Sequence, residues 1–288
     1  MKISTEIDAI ANHIGLGEEK AIELVAKAGF DAWDCSLFEM GNPDWANKRI
    51  KATEHPLFKN PIPFVRKLKK IGLDNGIVCN QSHAPFPSSF PGIRDLLKLA
   101  IECTAEAGGQ YCIIHPDNNA SPEENAEMFF ELLPTAKACG VKIATENMWN
   151  YDHEKKRVVA AACSSPKSFL DHINAVGDEY LVACLDIGHA EMQGCETSAV
   201  EMIHALKGHL QALHIHDNDK IDDSHEIPFS MKIDFHPIVK ALKEEGYNGY
   251  FTMESPKFLY PVAKENAFEA IKRLADAARS LADEFESL

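Results

Sequence analysis

The chain has 288 residues, 45% of them apolar and 25% charged, with 44 acidic against 29 basic side chains and a formal net charge of −15. A surface of that sign repels phosphate backbones at long range, so non-specific nucleic-acid binding is a poor first expectation. The eight cysteines never fall at CxxC spacing, and a chain this long needs no disulfide staples, so they read as buried free thiols of a reducing compartment. The opening MKISTEIDAI lacks the apolar run of a signal peptide, and no stretch approaches a membrane span. A cytoplasmic location is expected.

Short apolar runs alternate with longer amphipathic ones from end to end. Strands are expected at 2–7, 30–36, 73–84, 110–116, 141–147, 181–189, 210–217 and 249–255. Segments such as 18–29 and 92–108 carry apolar residues at three- and four-residue spacing and read as helices. Gly29, Gly72, Gly108, Gly140 and Gly246 follow such segments as C-caps. Ser121-Pro122 and Ser165-Pro166 read as N-caps with proline in the first turn. The connection 36–62 is the longest without a clear element and is a candidate lid or specificity loop.

Eight strand–helix units without a composition break favour an α/β fold: one (β/α)8 TIM barrel spanning residues 1–288. A doubly wound open sheet is the alternative. It would more typically place a glycine-rich phosphate loop after its first strand, and IDAIANHIGLG holds no GxGxxG.

The polar residues at the strand ends carry the functional reading. The third strand ends at His83, the fourth at His115, the fifth at Glu146, the sixth at Asp186 with His189 beyond, the seventh at His214 and His216, and the eighth at Glu254. A barrel brings these ends to one face. Crowded carboxylates there would repel one another, and a divalent cation with mixed nitrogen and oxygen ligands resolves the repulsion. Taken singly, each residue also has a plain structural reading, as a cap, an ion-pair partner or a satisfied core histidine. The constellation carries the inference.

The motifs SHAPF (82–86), IIHP (113–116), ATEN (144–147), LDIGHA (185–190), LHIHDND (213–219), DSH (223–225) before IDF (233–235), and GYFTMES (249–255) resemble those of the xylose isomerase-like barrels. That superfamily includes ketose 3-epimerases, sugar isomerases, inosose isomerases and dehydratases, and the endonuclease IV type of repair enzyme. The resemblance covers nearly the whole chain. It implies a metal site of Glu146, Asp186, His214 and Glu254, with His189 facing the substrate or a second ion. Strand alternation puts His214 and His216 on one side; the similarity of HIHD to the relatives' H-x-x-D favours His214. In the nuclease branch the counterparts of Asp223, His225 and His189 hold a further zinc, and those of His83 and His115 another, so as many as three ions are implied. Sugar-acting relatives use similar residues around one ion to hydrogen-bond hydroxyls. This chain reads Pro228-Phe229-Ser230-Met231 where relatives often have PGxG, which is expected to reshape the loop after strand seven.

The expected activity is therefore that of a sugar or sugar-phosphate epimerase or isomerase. One ion (Mn, Mg, Co or Zn) would stabilise an enediolate, with Glu146 and Glu254 as base and acid and His189, helped by His83 or His115, polarising a substrate oxygen. Trp33, Trp149 and Tyr151 are candidate walls for the sugar, with packing within the barrel an equally good reading of Trp33. Lys155, Lys156 and Arg157 form either a solvated turn or a grip for a phosphate or carboxylate. The rivals are a keto-sugar dehydratase, a zinc phosphodiesterase acting at abasic DNA, and a non-enzymatic binding barrel. The expected partner is a small sugar, with neither nucleic acid nor membrane. Dimers are common among such barrels.

Overall fold

The structure, a computed structural model, describes residues 1–288. Eight strands form the barrel: β1 (Lys2–Thr5), β2 (Ala32–Ser36), β3 (Val78–His83), β4 (Tyr111–Ile113), β5 (Lys142–Glu146), β6 (Leu181–Asp186), β7 (Leu210–His214) and β8 (Tyr250–Met253). Each is followed by a helix of eight residues or more: α1 (Glu18–Ala28), α2 (Pro61–Asp74), α3 (Ile93–Ala107), α4 (Pro122–Cys139), α5 (Pro166–Val176), α6 (Ala199–Leu206), α7 (Phe235–Glu244) and α8 (Ala267–Ser287). Strands β2 to β7 pair in parallel in chain order, and β1 pairs with β8. Parallel bridges from Glu6 to Asp34 and from Ile215 to Met253 close the ring. The fold is a (β/α)8 barrel. None of its helices is long and apolar enough to cross a membrane.

Period-two alternation sorts each strand into two cores. Ile143, Leu181, Ala183, Leu185 and Leu213 join the large cluster packed against the helices. Ala144, Val182, Cys184 and Ala212 fill the barrel interior with Ile113. Glu146, Asp186 and His214 have the inward parity of the second group, so their strands deliver them to the interior at the end where the strands stop. The same alternation corrects one expectation. Trp33 is fully buried on the outward parity, and a Cβ added at Gly72 of α2 would lie 2.8 Å from its indole nitrogen. Trp33 therefore packs between β2 and α2 and does not wall the sugar site.

Gly29, Gly108 and Gly140 cap helices with positive φ, and Ser121 forms a reciprocal capping box with Glu124. Gly72 lies inside α2, whose end is followed by Gly76 at φ 80°. The third strand accordingly starts at Val78 and not at 73. The sixth stops at Asp186, whose carboxylate caps a short helix, Ile187–Glu191, by accepting from the His189 amide at 2.7 Å. The 36–62 connection is not featureless. It contains a hairpin (Asn42–Asp44 with Arg49–Lys51) and the short helix Pro56–Lys59.

Candidate active site

Four residues meet at the mouth. His214 Nδ1 lies 3.2 Å from Glu146 Oε1 and 3.3 Å from Glu254 Oε2. One donor atom from each of Glu146, Asp186, His214 and Glu254 lies within 4.8 Å of every other. A second group, His189, His216, Asp223 and His225, meets the same criterion, as does a third, His83, His115 and Glu146. The groups adjoin. His115 Nε2 is 3.1 Å from Glu146 Oε2, and His216 Nε2 is 3.1 Å from Asp186 Oδ1. His214 and His216 thus both point inward, one between Glu146 and Glu254, the other between Asp186 and Asp223.

Backbone carbonyls orient the imidazoles. A carbonyl can only accept, so His83 Nδ1–H donates to Ala84 O, His189 Nδ1–H to Asn147 O and His225 Nδ1–H to Glu254 O, at 2.8 to 3.0 Å. That leaves the Nε2 atoms of His83 and His189 facing the mouth, while His225 Nε2 is engaged by Asp223 Oδ2 at 3.0 Å. Asn147, the last residue of the TEN motif, clamps β6: its Nδ2 donates to Asp186 O at 2.9 Å and its Oδ1 accepts from Asp186 N at 2.8 Å. The glycine of the DIGH motif is required by contact, because a Cβ at Gly188 would lie 2.0 Å from His216 Cε1. Asp217 accepts from the amides of Asn218, Met231 and Ile233 and so pins the loop after β7. In that loop Phe229 takes φ 70°, a conformation that glycine adopts without strain.

Burial pushes Glu146 up, but the His214 and His115 imidazoles outweigh it and hold this carboxyl well below the usual range. Burial also pushes Glu254 up, and there His214 and His225 oppose it only in part. The two carboxyls flanking His214 are thereby driven apart, the arrangement expected of a base and an acid. Asp186 and Asp223 raise His189 against its burial, while burial holds His83 neutral. Asp186 Oδ2 is buried without a hydrogen-bond partner, and Glu146 Oε2, Asp223 Oδ1 and the Nε2 atoms of His214 and His216 are buried with only the carboxylates and imidazoles of this site beside them, at 3.1 to 3.7 Å. Five such atoms converging on one mouth fit a divalent cation with mixed nitrogen and oxygen ligands.

The space above these groups measures about 580 Å³, and Phe38, Trp45, Phe86, Trp149 and Tyr260 line it with the histidines. Trp149 therefore lines this space. Tyr151 and Arg157 do not. They belong to the hairpin Trp149–Asp152 with Arg157–Ala160, where Arg157 is exposed and Lys155 pairs with Asp152 at 3.1 Å. A tight hairpin turns these cations to solvent, in line with the solvated-turn reading and against an anion grip. Two acidic residues escaped notice. Asp34, fully buried on the inward parity of β2, lies 3.5 Å from His214 Nε2 and accepts from Gln81 at 2.9 Å. Glu6 sits just beyond β1. The alternation in FDAWDCS was the signal for Asp34.

The description "Xylose isomerase-like TIM barrel" belongs to a family model that matches residues 22–282. An uncharacterised protein of Methanocaldococcus jannaschii is 26% identical over 253 residues, covering 82% of this chain and 78% of the relative. The fructoselysine 3-epimerase of Shigella flexneri is 26% identical over 167 residues, 56% of this chain and 57% of the relative. The solved structure of an L-ribulose 3-epimerase superposes with a TM-score of 0.72 at 19% identity, covering 100% of this chain and 95% of that one.

Proposed function

Since the chain belongs to the xylose isomerase-like TIM-barrel family, we propose that it is a divalent-metal-dependent sugar epimerase or isomerase acting by proton abstraction beside a carbonyl. The observation that carries this reading is the quartet of Glu146, Asp186, His214 and Glu254, with two carboxyls of opposite tendency on either side of one imidazole. An ion held by the quartet would supply Lewis acidity to the carbonyl and the neighbouring hydroxyl oxygen. Glu146, kept ionised, takes the proton from the carbon next to the carbonyl. Glu254, kept closer to its protonated form, returns one from the opposite face, which inverts the carbon. Return to the adjacent carbon would instead interconvert ketose and aldose. His189 presents Nε2 to a substrate oxygen, and Trp149 covers the sugar's apolar face.

A second reading rests on a specific observation, the two further donor groups around His189 and His83. With all three groups loaded with zinc, a phosphodiesterase acting on abasic DNA becomes the alternative. Metal analysis of protein purified without chelator, followed by deuterium exchange from solvent into a panel of ketoses, separates the two. About one exchangeable ion per chain with exchange at the carbon next to the carbonyl supports the sugar chemistry. Glu254→Gln should abolish interconversion of the two epimers and leave the fold intact, whereas interconversion that persists removes Glu254 from the acid–base pair. Two or three tightly held zincs, with cleavage of abasic DNA and no exchange, replaces this reading with the other.

A further inference from the structure

Beside the mouth lies a second cavity of about 320 Å³, which shares Ser88, Ser89 and Asp117 with the mouth's own wall. Its distinctive residue is Arg94, on the first turn of α3. The other arginines of known contact are matched: Arg49 with Asp44, Arg66 with Glu106, Arg279 with Asp31, and Arg273 over the Phe258 ring. Arg94 is half-buried, and its Nη1 is wholly buried with no hydrogen-bond partner. In a chain with 44 acidic side chains, a guanidinium nitrogen withdrawn from water and left unmatched is costly to keep. Each carboxylate lining the same cavity has one oxygen engaged by a backbone amide, and neither pairs with Arg94. Asp117 accepts from the Asn119 amide at 3.1 Å, and Glu124 accepts from the Ser121 amide at 2.7 Å within its capping box. The hairpin cations at 155–157 do not line the mouth, whereas the cavity that holds Arg94 shares a wall with it.

We infer that this cavity is a subsite for an anionic substituent of the substrate, gripped by Arg94 while the reacting end of the sugar lies under the histidines. The inference rests on the sugar-binding reading of the mouth and names the substrate class: ketoses bearing a carboxylate or a phosphate remote from the carbonyl. The guanidinium fork matches a carboxylate in two parallel bonds. Asp117 and Glu124 in the same walls weigh against a doubly charged phosphate, so the carboxylate is the favoured form.

The test is calorimetric binding of D-fructose, D-fructuronate and D-fructose 6-phosphate, which differ only at carbon 6, to the full-length protein and to Arg94→Gln and Arg94→Lys. Circular dichroism confirms that each variant folds, and the Lys variant stands in if the Gln variant does not. The wild type should bind an anionic ketose about tenfold or more tightly than fructose, the worth of a charge-assisted hydrogen bond. Arg94→Gln should erase that preference without altering fructose affinity, and Arg94→Lys should keep part of it. Preference for fructuronate or for the phosphate identifies the anion. Equal affinity for all three, a preference that survives Arg94→Gln, or no binding of either anionic sugar overturns the subsite. Binding is read without turnover, so a protein that holds anionic ketoses through Arg94 but exchanges no deuterium would refute the proposed reaction and leave the subsite standing.

Discussion

Glu6→Gln tests the electrostatics of the mouth quantitatively. Glu6 is 5% exposed. Its Oε2 accepts from the Asp8 amide at 2.6 Å, while Oε1 is buried without a partner. Burial first, then repulsion from Asp8, Glu254 and Asp34, lifts its pKa from an ordinary 4.5 to about 8, against the opposing hydrogen bond from Asp8. A carboxyl raised in the folded state contributes its full stability below pH 4.5. It loses that contribution as pH climbs towards 8, because the unfolded chain has released a proton that the folded one still holds. Each pH unit in that window costs about 1.36 kcal/mol. The interval from 4.5 to about 8 therefore amounts to ~5 kcal/mol as an upper bound, of which ~3 kcal/mol is already lost at neutral pH. Glutamine keeps the oxygen that serves Asp8 and has nothing to ionise. Urea unfolding in chelator from pH 5 to 9 should find the variant near wild type at pH 5 and several kcal/mol more stable at pH 8.5. Titrating groups remote from Glu6 cancel in the variant-minus-wild-type difference. A difference that stays flat across this range would mean that Glu6 ionises normally and that the carboxylates at the barrel end do not feel one another.

Gly188→Ala places a methyl 2.0 Å from His216 Cε1, against a ring already stacked on His225 at 3.9 Å. A loss of about 1–3 kcal/mol with weaker ion binding is expected, and an unchanged melting temperature contradicts it. Asn147→Ala leaves the Asp186 amide and carbonyl without their clamp. Affinity for a divalent ion should fall by about ten- to a hundredfold, measured by competition with a fluorescent chelator. His225→Ala should lower activity modestly at constant metal content if one ion operates; loss of one ion together with all activity would establish that His225 is a ligand.

The barrel was legible because parallel strands buried on both faces read as unbroken apolar runs, and because serine and glycine caps bound the helices between them. The strand ends brought Glu146, Asp186, His214 and Glu254 into a wider constellation with His83, His115, His189 and His216, and the resemblance to the xylose isomerase-like barrels picked these four out of it. Boundaries overshot where the chain turns before its composition changes, as at 73–77, where α2 ends, and at 187–189, where Asp186 starts a helix. Trp33 misled because an aromatic in a strand declares burial but not which face it occupies. Only parity, set here by its neighbour Asp34, decides that. Asp34 was missed although its parity was readable, and the register shift between Trp33 and Asp34 blurs the pattern at that point. Arg94 carries no sequence signature, since its isolation depends on where Asp117 and Glu124 spend their oxygens.

Residue identity alone does not separate a one-ion sugar enzyme from a multinuclear phosphodiesterase, because an Nε2 lone pair serves a hydroxyl and a zinc equally well. Charge does separate them. The donor groups contain four carboxylates, Glu146, Asp186, Glu254 and Asp223. Three divalent ions would make this set about +2, suited to a phosphate diester; one ion leaves about −2. In the ion-free protein Asp223 raises His225 to about 9 against its burial, and Asp186 and Asp223 raise His189. A mouth left with about −2 by one ion suits a polyhydroxylated ketone more than a phosphate diester, and its carboxylates repel an anionic group placed among them. A charged substituent on the sugar is then better held away from them, where the unmatched guanidinium of Arg94 lies across the shared wall.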